Sequence, residues 1–268
     1  MSDASSSDRA ARSAGSDAAA IARSVVFNLG LWAWTAVMLL AALPWLAFPP
    51  RLMLAHSRAW MRGVQFLLAT IVGLEYEVRG RATAPERAAI FAFKHQSAWE
   101  TLATHLLVPG AAIVLKRELI QIPLFGWCLL HAGMIRIDRR GGARALRGLL
   151  EGGRAALARG APIVIFPEGT RLPPGEQGEY QPGVAALYRH LDCPVVPVAL
   201  NSGVFWGRRS FVKRPGRIVV EFLPPIAPGL ERAAFMTELR DRLEPATARL
   251  VAEAQHQTCA CQARGQQR

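Results

Sequence analysis

The sequence has few lysines and few cysteines. Of its 32 basic residues only Lys94, Lys116 and Lys213 are lysines. Arginine is therefore strongly preferred, and each lysine is an exception. The four cysteines are scattered, apart from a Cys-Ala-Cys near the end, and form no disulfide framework; this fits a reducing compartment. His256 beside the Cys-Ala-Cys is interpreted as part of a polar tail, so we predict no metal site.

Other absences narrow the class of protein. The sequence has no Gly-x-Ser-x-Gly elbow and no reactive cysteine motif, so no side chain is singled out as a covalent nucleophile. It has no zinc finger, no basic helix with heptads and no aromatic-basic RNA signature, so nucleic acid is the weakest candidate partner. The net charge of +12 nevertheless predicts an anionic partner, such as a membrane surface, a phosphorylated substrate or an acidic carrier protein.

Charge is also missing from one long segment near the N-terminus. Residues 24–50 carry no charge. A helix rises about 1.5 Å per residue, so the apolar run over 25–48 is long enough to cross a hydrocarbon core of about 30 Å. A cleaved signal peptide is the alternative, but the run is too long and has no clear cleavage site. We predict a retained anchor, followed by a shorter buried or interfacial stretch over 63–74.

The arginines near the anchor do not give its orientation. Three arginines precede the anchor and three follow it closely, so the positive-inside rule gives a tie. A helix pair that dips into one leaflet explains the tie, because both flanks then lie on one side of the membrane. A helix that spans the bilayer does not explain it.

The rest of the chain alternates short apolar runs with helical patterns. This alternation predicts an α/β fold with a mostly parallel or mixed central sheet flanked by helices, preceded by the N-terminal membrane-associating helical element. The predicted strands are Ala88 to Phe93, Ala111 to Leu115, Pro162 to Phe166, Val195 to Leu200 and Ile218 to Phe222. The predicted helices are Trp99 to Leu107, Ala143 to Arg159, Gly183 to His190 and Ala233 to Ala254.

His95 lies just beyond the first predicted strand, where α/β folds usually place their ligands. Ser97 and Glu100 have the spacing of a capping box, in which the glutamate reaches back to the start of a helix. The positive end of a helix dipole favours neutral imidazole, the form that a general base needs. Glu100 has two oxygens, so capping and orienting the imidazole do not exclude each other. Without an enzyme nucleophile, we expect a hydroxyl of the substrate to attack.

Cationic residues follow other predicted strands. Arg171 ends the string Phe-Pro-Glu-Gly-Thr-Arg, in which Gly169 lets the backbone approach a ligand and the guanidinium is suited to binding phosphate. Lys116 ends another strand, and Arg139 lies in a dense basic cluster. These residues predict an anion site beside the histidine, although an ordinary turn or a solvated basic face explains any one of them alone.

Four strings together resemble the lysophosphatidic acid acyltransferases (1-acylglycerol-3-phosphate acyltransferases) of the wider glycerolipid acyltransferase superfamily. In order, they are His95 to Glu100, Gly133 to Arg139, Phe166 to Arg171 and Val196 to Gly203. They look like the family's His-x-x-x-x-Asp motif, its second block, its Phe-Pro-Glu-Gly-Thr-Arg block and its fourth block. The resemblance covers roughly residues 75 to 225, and four blocks in the right order are highly specific.

The resemblance implies an O-acyltransferase that moves an acyl group from acyl-CoA or acyl-carrier protein to the sn-2 hydroxyl of lysophosphatidic acid, giving phosphatidic acid without a further cofactor. It implies that His95 is the general base and that Glu100 orients it. The residues that it assigns to the acceptor's phosphate and the surrounding pocket are Lys116, Arg139, Arg171, Glu168 and Gly169.

Composition and resemblance together divide the chain into four parts. They are a disordered tail (1–22), a membrane anchor with interfacial helices (23–74), an acyltransferase catalytic domain (75–255) and a flexible tail (256–268). The expected partners are a membrane lipid, an acyl thioester and, as an option, acyl-carrier protein. For a bacterial chain this implies the inner membrane, with the active site facing the cytoplasm.

Three departures from the family pattern leave the acceptor open. Lys94 stands where the family usually has asparagine, Glu100 replaces aspartate, and a lysine that many members carry before a glycine is absent from residues 180–183. Glycerol 3-phosphate or another lysolipid is the alternative acceptor. A membrane-bound acyl thioesterase and a non-catalytic lipid-binding protein are the alternatives from other classes.

Overall fold

The computed structural model describes residues 3–83, 85, 89–138 and 141–265. Its strands are β1 (Leu74–Arg79), β2 (Ile90–Phe93), β3 (Ala112–Lys116), β4 (Ile135–Ile137), β5 (Ile163–Ile165), β6 (Val195–Leu200) and β7 (Gly216–Phe222). Within these residues they form a seven-stranded sheet in the order β1-β7-β6-β2-β5-β3-β4. β6 and β7 pair antiparallel, and the other neighbours pair in parallel. The predicted α/β fold with a mixed central sheet is confirmed.

Helices cover both faces of the sheet. In the described ranges they are α1 (Asp3–Ala42), α2 (Pro50–Leu67), α3 (Thr104–Leu107), α4 (Phe125–His131), α5 (Gly142–Ala158), α6 (Pro182–Leu191), α7 (Ser202–Phe205) and α8 (Arg232–Gly265). α1 and α2 cover one face, and α5, α6 and α8 cover the other. The helix predicted over 99–107 is instead a 3₁₀ turn, Trp99–Leu102, followed by the short α3.

The central strand β2 alternates between these two faces, as a strand must. Phe93 packs with the α1 and α2 side of the core, and Ala92 packs with the α5, α6 and α8 side. The same alternation sends Lys94 towards α8 and His95 towards the face that α1 and α2 cover.

Both ends of the chain are more helical than predicted. Residues 3–22, predicted to be a disordered tail, form the first half of α1, and α8 continues through residues 256–265 of the predicted flexible tail. Neither segment contains proline, and the first is rich in alanine, the best helix former. The helical patterns of the neighbouring segments therefore continue into the ends without a break.

α1 and α2 form an antiparallel hairpin joined by a 3₁₀ turn, Leu43–Ala47. The indole of Trp34 donates to the carbonyl of Trp60 at 3.0 Å, and a ring nitrogen of His56 meets the carbonyl of Met38 at 2.8 Å. The helical segment Asp17–Ala47 is long and apolar enough to cross a membrane by length and composition. The large apolar side chains that it exposes include those of Leu29, Trp32, Val37 and Leu40.

Lys213 attaches α1 to the body of the protein. Its backbone N–H donates to the hydroxyl of Ser24, and its ammonium donates to Asn28 at 2.8 Å. The ammonium also lies 5.4 Å from the ring centroid of Phe27 and 4.7 Å from that of Trp206. Burial lowers the pKa of this lysine to about 8. Polar and aromatic contacts therefore fix the middle of α1 close to β7.

Candidate active site

The candidate site lies at one edge of the sheet. β2, β5 and β3 are parallel neighbours, so their carboxyl ends meet at the same edge. His95 follows β2, Lys116 ends β3, and the loop Phe166–Arg171 follows β5. The N–H of Leu172 donates to the carbonyl of His95 at 2.9 Å, which ties this loop to the histidine.

The imidazole of His95 is held on two sides. Its Nδ1 lies 2.9 Å from Oε1 of Glu100, and its ring stacks on that of Phe166 with the centroids 4.1 Å apart. When Nδ1 carries the proton and donates it to the carboxylate, Nε2 keeps a lone pair. His95 also lines a cavity, so a ligand bound there meets the imidazole.

The carboxylate of Glu100 is fully buried and every oxygen has a partner. Oε1 accepts from the N–H groups of Gln96 at 2.6 Å and Ser97 at 2.7 Å, and Oε2 accepts from the hydroxyl of Ser202 at 2.8 Å. The hydroxyl of Ser97 in turn accepts from the N–H of Trp99. Capping and contact with the histidine therefore occur together on one side chain.

A cavity of about 280 Å³, here called the His95 cavity, opens beside the imidazole. Lys116 and Arg171 both line it, as predicted from the strand ends. Arg208 and Arg209 also line it and were missed, although their adjacency after the fourth block was a visible signal. The side chain of Lys116 is half-exposed and pairs with Glu118 at 3.1 Å.

Two residues expected in the phosphate pocket lie elsewhere. Glu168 and Gly169 line a neighbouring cavity of about 450 Å³, and neither lines the His95 cavity. The reason is that Glu168 is buried against the ammonium of Lys94, 2.9 Å away on the α8 side. Gly169 adopts a φ of 65° and donates to the carbonyl of Phe166, which closes the turn. Arg139 lies outside the described residues.

An apolar cavity of about 280 Å³ adjoins the His95 cavity. It lies between the α1–α2 hairpin and the β3–β4 edge of the sheet, and its wall includes Met38, Trp60 and Met134. The two cavities share lining residues, which are Thr101, Ile113, Leu115, Leu119 and Arg171. The two cavities therefore lie side by side at the same end of the sheet.

His105 is a buried polar residue in the wall of the apolar cavity. Its Nδ1 lies 2.5 Å from the hydroxyl of Ser57, and its Nε2 lies 3.1 Å from the carbonyl of Ala111. The carbonyl requires a proton on Nε2, so Nδ1 accepts from the serine. Burial lowers the pKa of His105 to about 4, so the ring is neutral at neutral pH.

Within the described ranges, no group of three or more His, Cys, Asp or Glu side chains is placed to hold a metal ion. The side chains of the Cys-Ala-Cys near the end lie outside what the structure describes. The expectation that no metal and no further cofactor is needed stays a prediction.

Comparison with known proteins identifies the class. A model of the acyltransferase domain matches residues 75–201. A Pseudomonas aeruginosa 1-acyl-sn-glycerol-3-phosphate acyltransferase is 38% identical over 194 residues, which cover 72% of this chain and 76% of the relative. A protein of the same name from Limnanthes alba is 31% identical over 72% of this chain and 68% of the relative.

The fold has a solved counterpart. The 1-acyl-sn-glycerophosphate acyltransferase PlsC from Thermotoga maritima matches with a TM-score of 0.65 and 20% identity, over 86% of this chain and 95% of that structure. The matched domain and the similar relatives define an O-acyltransferase. The chain belongs to the 1-acyl-sn-glycerol-3-phosphate acyltransferase family, as the four sequence blocks predicted.

Proposed function

We propose that the enzyme transfers an acyl group from a thioester carrier to the sn-2 hydroxyl of lysophosphatidic acid, giving phosphatidic acid. The observation that carries the proposal is the buried His95–Glu100 pair, which opens into a cavity that also presents Lys116 and Arg171. A base and a set of cations in one cavity suit an acceptor that has both a hydroxyl and a phosphate. The names of the relatives support the same acceptor.

The proposed reaction needs no covalent enzyme intermediate. Nε2 of His95 takes the proton of the acceptor hydroxyl while that oxygen attacks the thioester carbonyl. The tetrahedral intermediate then collapses, the carbon–sulfur bond breaks, and the leaving thiolate takes the proton from the imidazolium and departs as a thiol. The carboxylate of Glu100, 2.9 Å from Nδ1, stabilises the imidazolium between these two transfers.

The cations of the His95 cavity place the phosphate. Arg171 offers a planar fork that suits two phosphate oxygens, and Lys116 adds a point charge at the end of β3. Arg208 and Arg209 line the same cavity and add to its positive potential. Together they favour an acceptor with a phosphate over a lysolipid with a neutral headgroup.

The apolar cavity is the proposed site of the donor's acyl chain. It shares Thr101 and Arg171 with the His95 cavity, so a thioester carbon beside His95 has its alkyl chain directed into the apolar cavity. Burying each methylene of that chain stabilises the complex by about 0.8 kcal/mol. The chain is therefore held by the same helices that face the membrane.

We infer that the α1–α2 hairpin seats the enzyme in one leaflet. α2 carries Arg51, Arg58 and Arg62, which are unsuited to the bilayer centre, whereas α1 exposes a broad apolar surface. Replacing Leu29 and Trp32, which are 67% and 71% exposed, by glutamate is expected to release the protein from membranes without unfolding it. Leu230→Glu, at a position 40% exposed before α8, is the control. Equal sedimentation of both variants would refute this seating.

The acceptor assay tests the function directly. Purified protein in detergent is incubated with a labelled donor, either acyl-CoA or acyl-carrier protein. Each reaction also contains one acceptor, which is lysophosphatidic acid, lysophosphatidylcholine or glycerol 3-phosphate, or contains no acceptor. We expect labelled phosphatidic acid only with lysophosphatidic acid, and its loss in His95→Ala. Hydrolysis of the thioester at the same rate without an acceptor would identify a thioesterase instead.

A further inference from the structure

A buried ion network lies behind the candidate site, on the α8 side of the sheet. The ammonium of Lys94 donates to both carboxylate oxygens of Glu244, at 2.8 and 2.9 Å, and forms an ion pair with Glu168 at 2.9 Å. The hydroxyl of Tyr180 donates to Glu244 at 2.7 Å. The side chains of Lys94, Glu168 and Glu244 are only 1%, 1% and 8% exposed, so water hardly competes for these contacts.

The network joins three distant parts of the chain. Lys94 immediately precedes His95 at the end of β2, and Glu168 belongs to the loop that stacks Phe166 on the imidazole. Glu244 belongs to α8, 150 residues from Lys94. Lys94 therefore links α8 both to the segment that carries His95 and to the loop that carries its stacking partner.

Stability alone does not account for this arrangement. Taking an ammonium and two carboxylates out of water is costly, and a buried ion network often contributes less to stability than apolar residues of the same volume. Burial also raises the pKa of Glu168, although Lys94 acts in the opposite direction. A shorter neutral side chain at this position does not supply the charge that the two carboxylates face here.

We propose that Lys94 is a positioning residue. With Glu244 it holds in place the segment that carries His95 and the loop Phe166–Arg171, and it keeps Glu168 out of the His95 cavity. The second effect matters because an ionised carboxylate in that cavity repels the acceptor's phosphate. The C-terminal helix α8 is then part of the active site without contacting substrate. This inference rests on the proposed acyl transfer for its kinetic readout.

The test is a double-mutant cycle in the full-length protein. Glu244→Gln is nearly isosteric and keeps one acceptor oxygen for Lys94 and Tyr180. Its amide replaces the second oxygen that Lys94 contacts, so the melting temperature of each variant is measured beside kcat. We expect Glu244→Gln and Lys94→Met each to lower kcat at least about tenfold, with the KM for acyl-CoA within about twofold. The kcat of the double variant is expected to be no lower than that of the less active single variant, because both changes remove the same contact between Lys94 and Glu244.

A matched control lies on the same helix. Glu253 forms an exposed pair with Arg79, and Glu253→Gln is expected to keep kcat within about twofold. A third arm addresses the acceptor: Lys94→Met is expected to raise the KM for lysophosphatidic acid, and adding Glu168→Gln is expected to lower it again.

Two results would overturn the proposal. The first is a cycle in which the losses of the two single variants multiply, and the second is a lower melting temperature with an unchanged kcat. Hydrogen exchange gives a readout that does not depend on turnover: in Glu244→Gln, peptides covering 94–100 and 166–171 are expected to exchange at least about tenfold faster. Unchanged protection refutes the positioning role, whereas a wild type without acyl transfer refutes the proposed function.

Discussion

Glu100→Gln is expected to lower turnover strongly while leaving the fold intact. Glutamine keeps an acceptor oxygen for the N–H groups of Gln96 and Ser97, which lie 2.6 and 2.7 Å from Oε1. Its amide takes the place of Oε2, and the hydroxyl of Ser202 is free to rotate and accept from it. The shape and the hydrogen-bond count are thus preserved, and only the negative charge beside His95 is lost.

The geometry gives the size of the effect. A carboxylate 2.9 Å from an imidazolium attracts it by about 6 kcal/mol at an effective dielectric constant of about 20. The backbone N–H groups and Ser202 already neutralise part of that charge. Retaining roughly half to most of the attraction in the transition state corresponds to about 2.7 to 5.4 kcal/mol, which is about a hundredfold to ten-thousandfold in rate.

The assay measures kcat with lysophosphatidic acid and acyl-CoA, together with the melting temperature. Ser97→Ala is the matched control, because it removes only the cap contact with Trp99 and is expected to cost about 1 kcal/mol of stability with little effect on rate. Glu100→Asp is expected to be partly active, since its shorter side chain cannot reach all of the same partners. Near-normal turnover of a folded Glu100→Gln would show that the carboxylate stabilises the backbone turn and does not assist His95 as a base.

Three further outcomes are expected. His95→Ala is expected to lose about two to four orders of magnitude in kcat while still sedimenting with membranes, and retention of more than about a tenth of the activity contradicts its role as base. Arg171→Lys keeps the charge but loses the planar fork, so the KM for the acceptor is expected to rise with little change for acyl-CoA; an unchanged acceptor KM makes Arg171 a solvated turn residue. His105 has its folded pKa lowered from 6.5 to about 4, so below pH 6.5 the unfolded chain binds a proton that the folded protein does not. The free energy of unfolding is then expected to fall by about 3 kcal/mol between pH 7.5 and pH 4. Denaturant titrations of wild type and of His105→Gln at each pH measure this change, and equal acid sensitivity of the two proteins refutes the assignment.

The sequence predicted the buried centre of the sheet better than its edges. β2 and β6 carry no charged residue, and β7 is buried over residues 218–220. Each was predicted within two residues of its observed start and end. β1 was missed because Leu74–Arg79 is an edge strand in which charged and apolar residues alternate. β4 was missed because its three residues include an arginine, whereas the equally short β5 is wholly apolar. Short motifs read in order were sufficient to locate the candidate site.

The tertiary partners of that site were not predictable in the same way. The contact between Glu100 and Ser202 spans 102 residues, and no periodicity or spacing in one sequence indicates which two distant polar residues meet. Lys94 was noticed as a departure from the family pattern, but its partner Glu244 lies 150 residues away in the middle of the long helix α8. Only the fold brings the helix against the strand end.

Ser24 and Lys213 fasten α1 to the body near β7, and Phe27, Val64 and Leu68 of the hairpin region pack in the core beneath the sheet. With the hairpin seated as proposed, the distance between His95 and the headgroup layer is fixed by the fold and does not vary with a flexible tether. A lysolipid then reaches the His95 cavity by lateral diffusion within its own leaflet. The reaction rate should accordingly follow the mole fraction of acceptor in the membrane, and adding inert phospholipid should slow the enzyme by surface dilution alone.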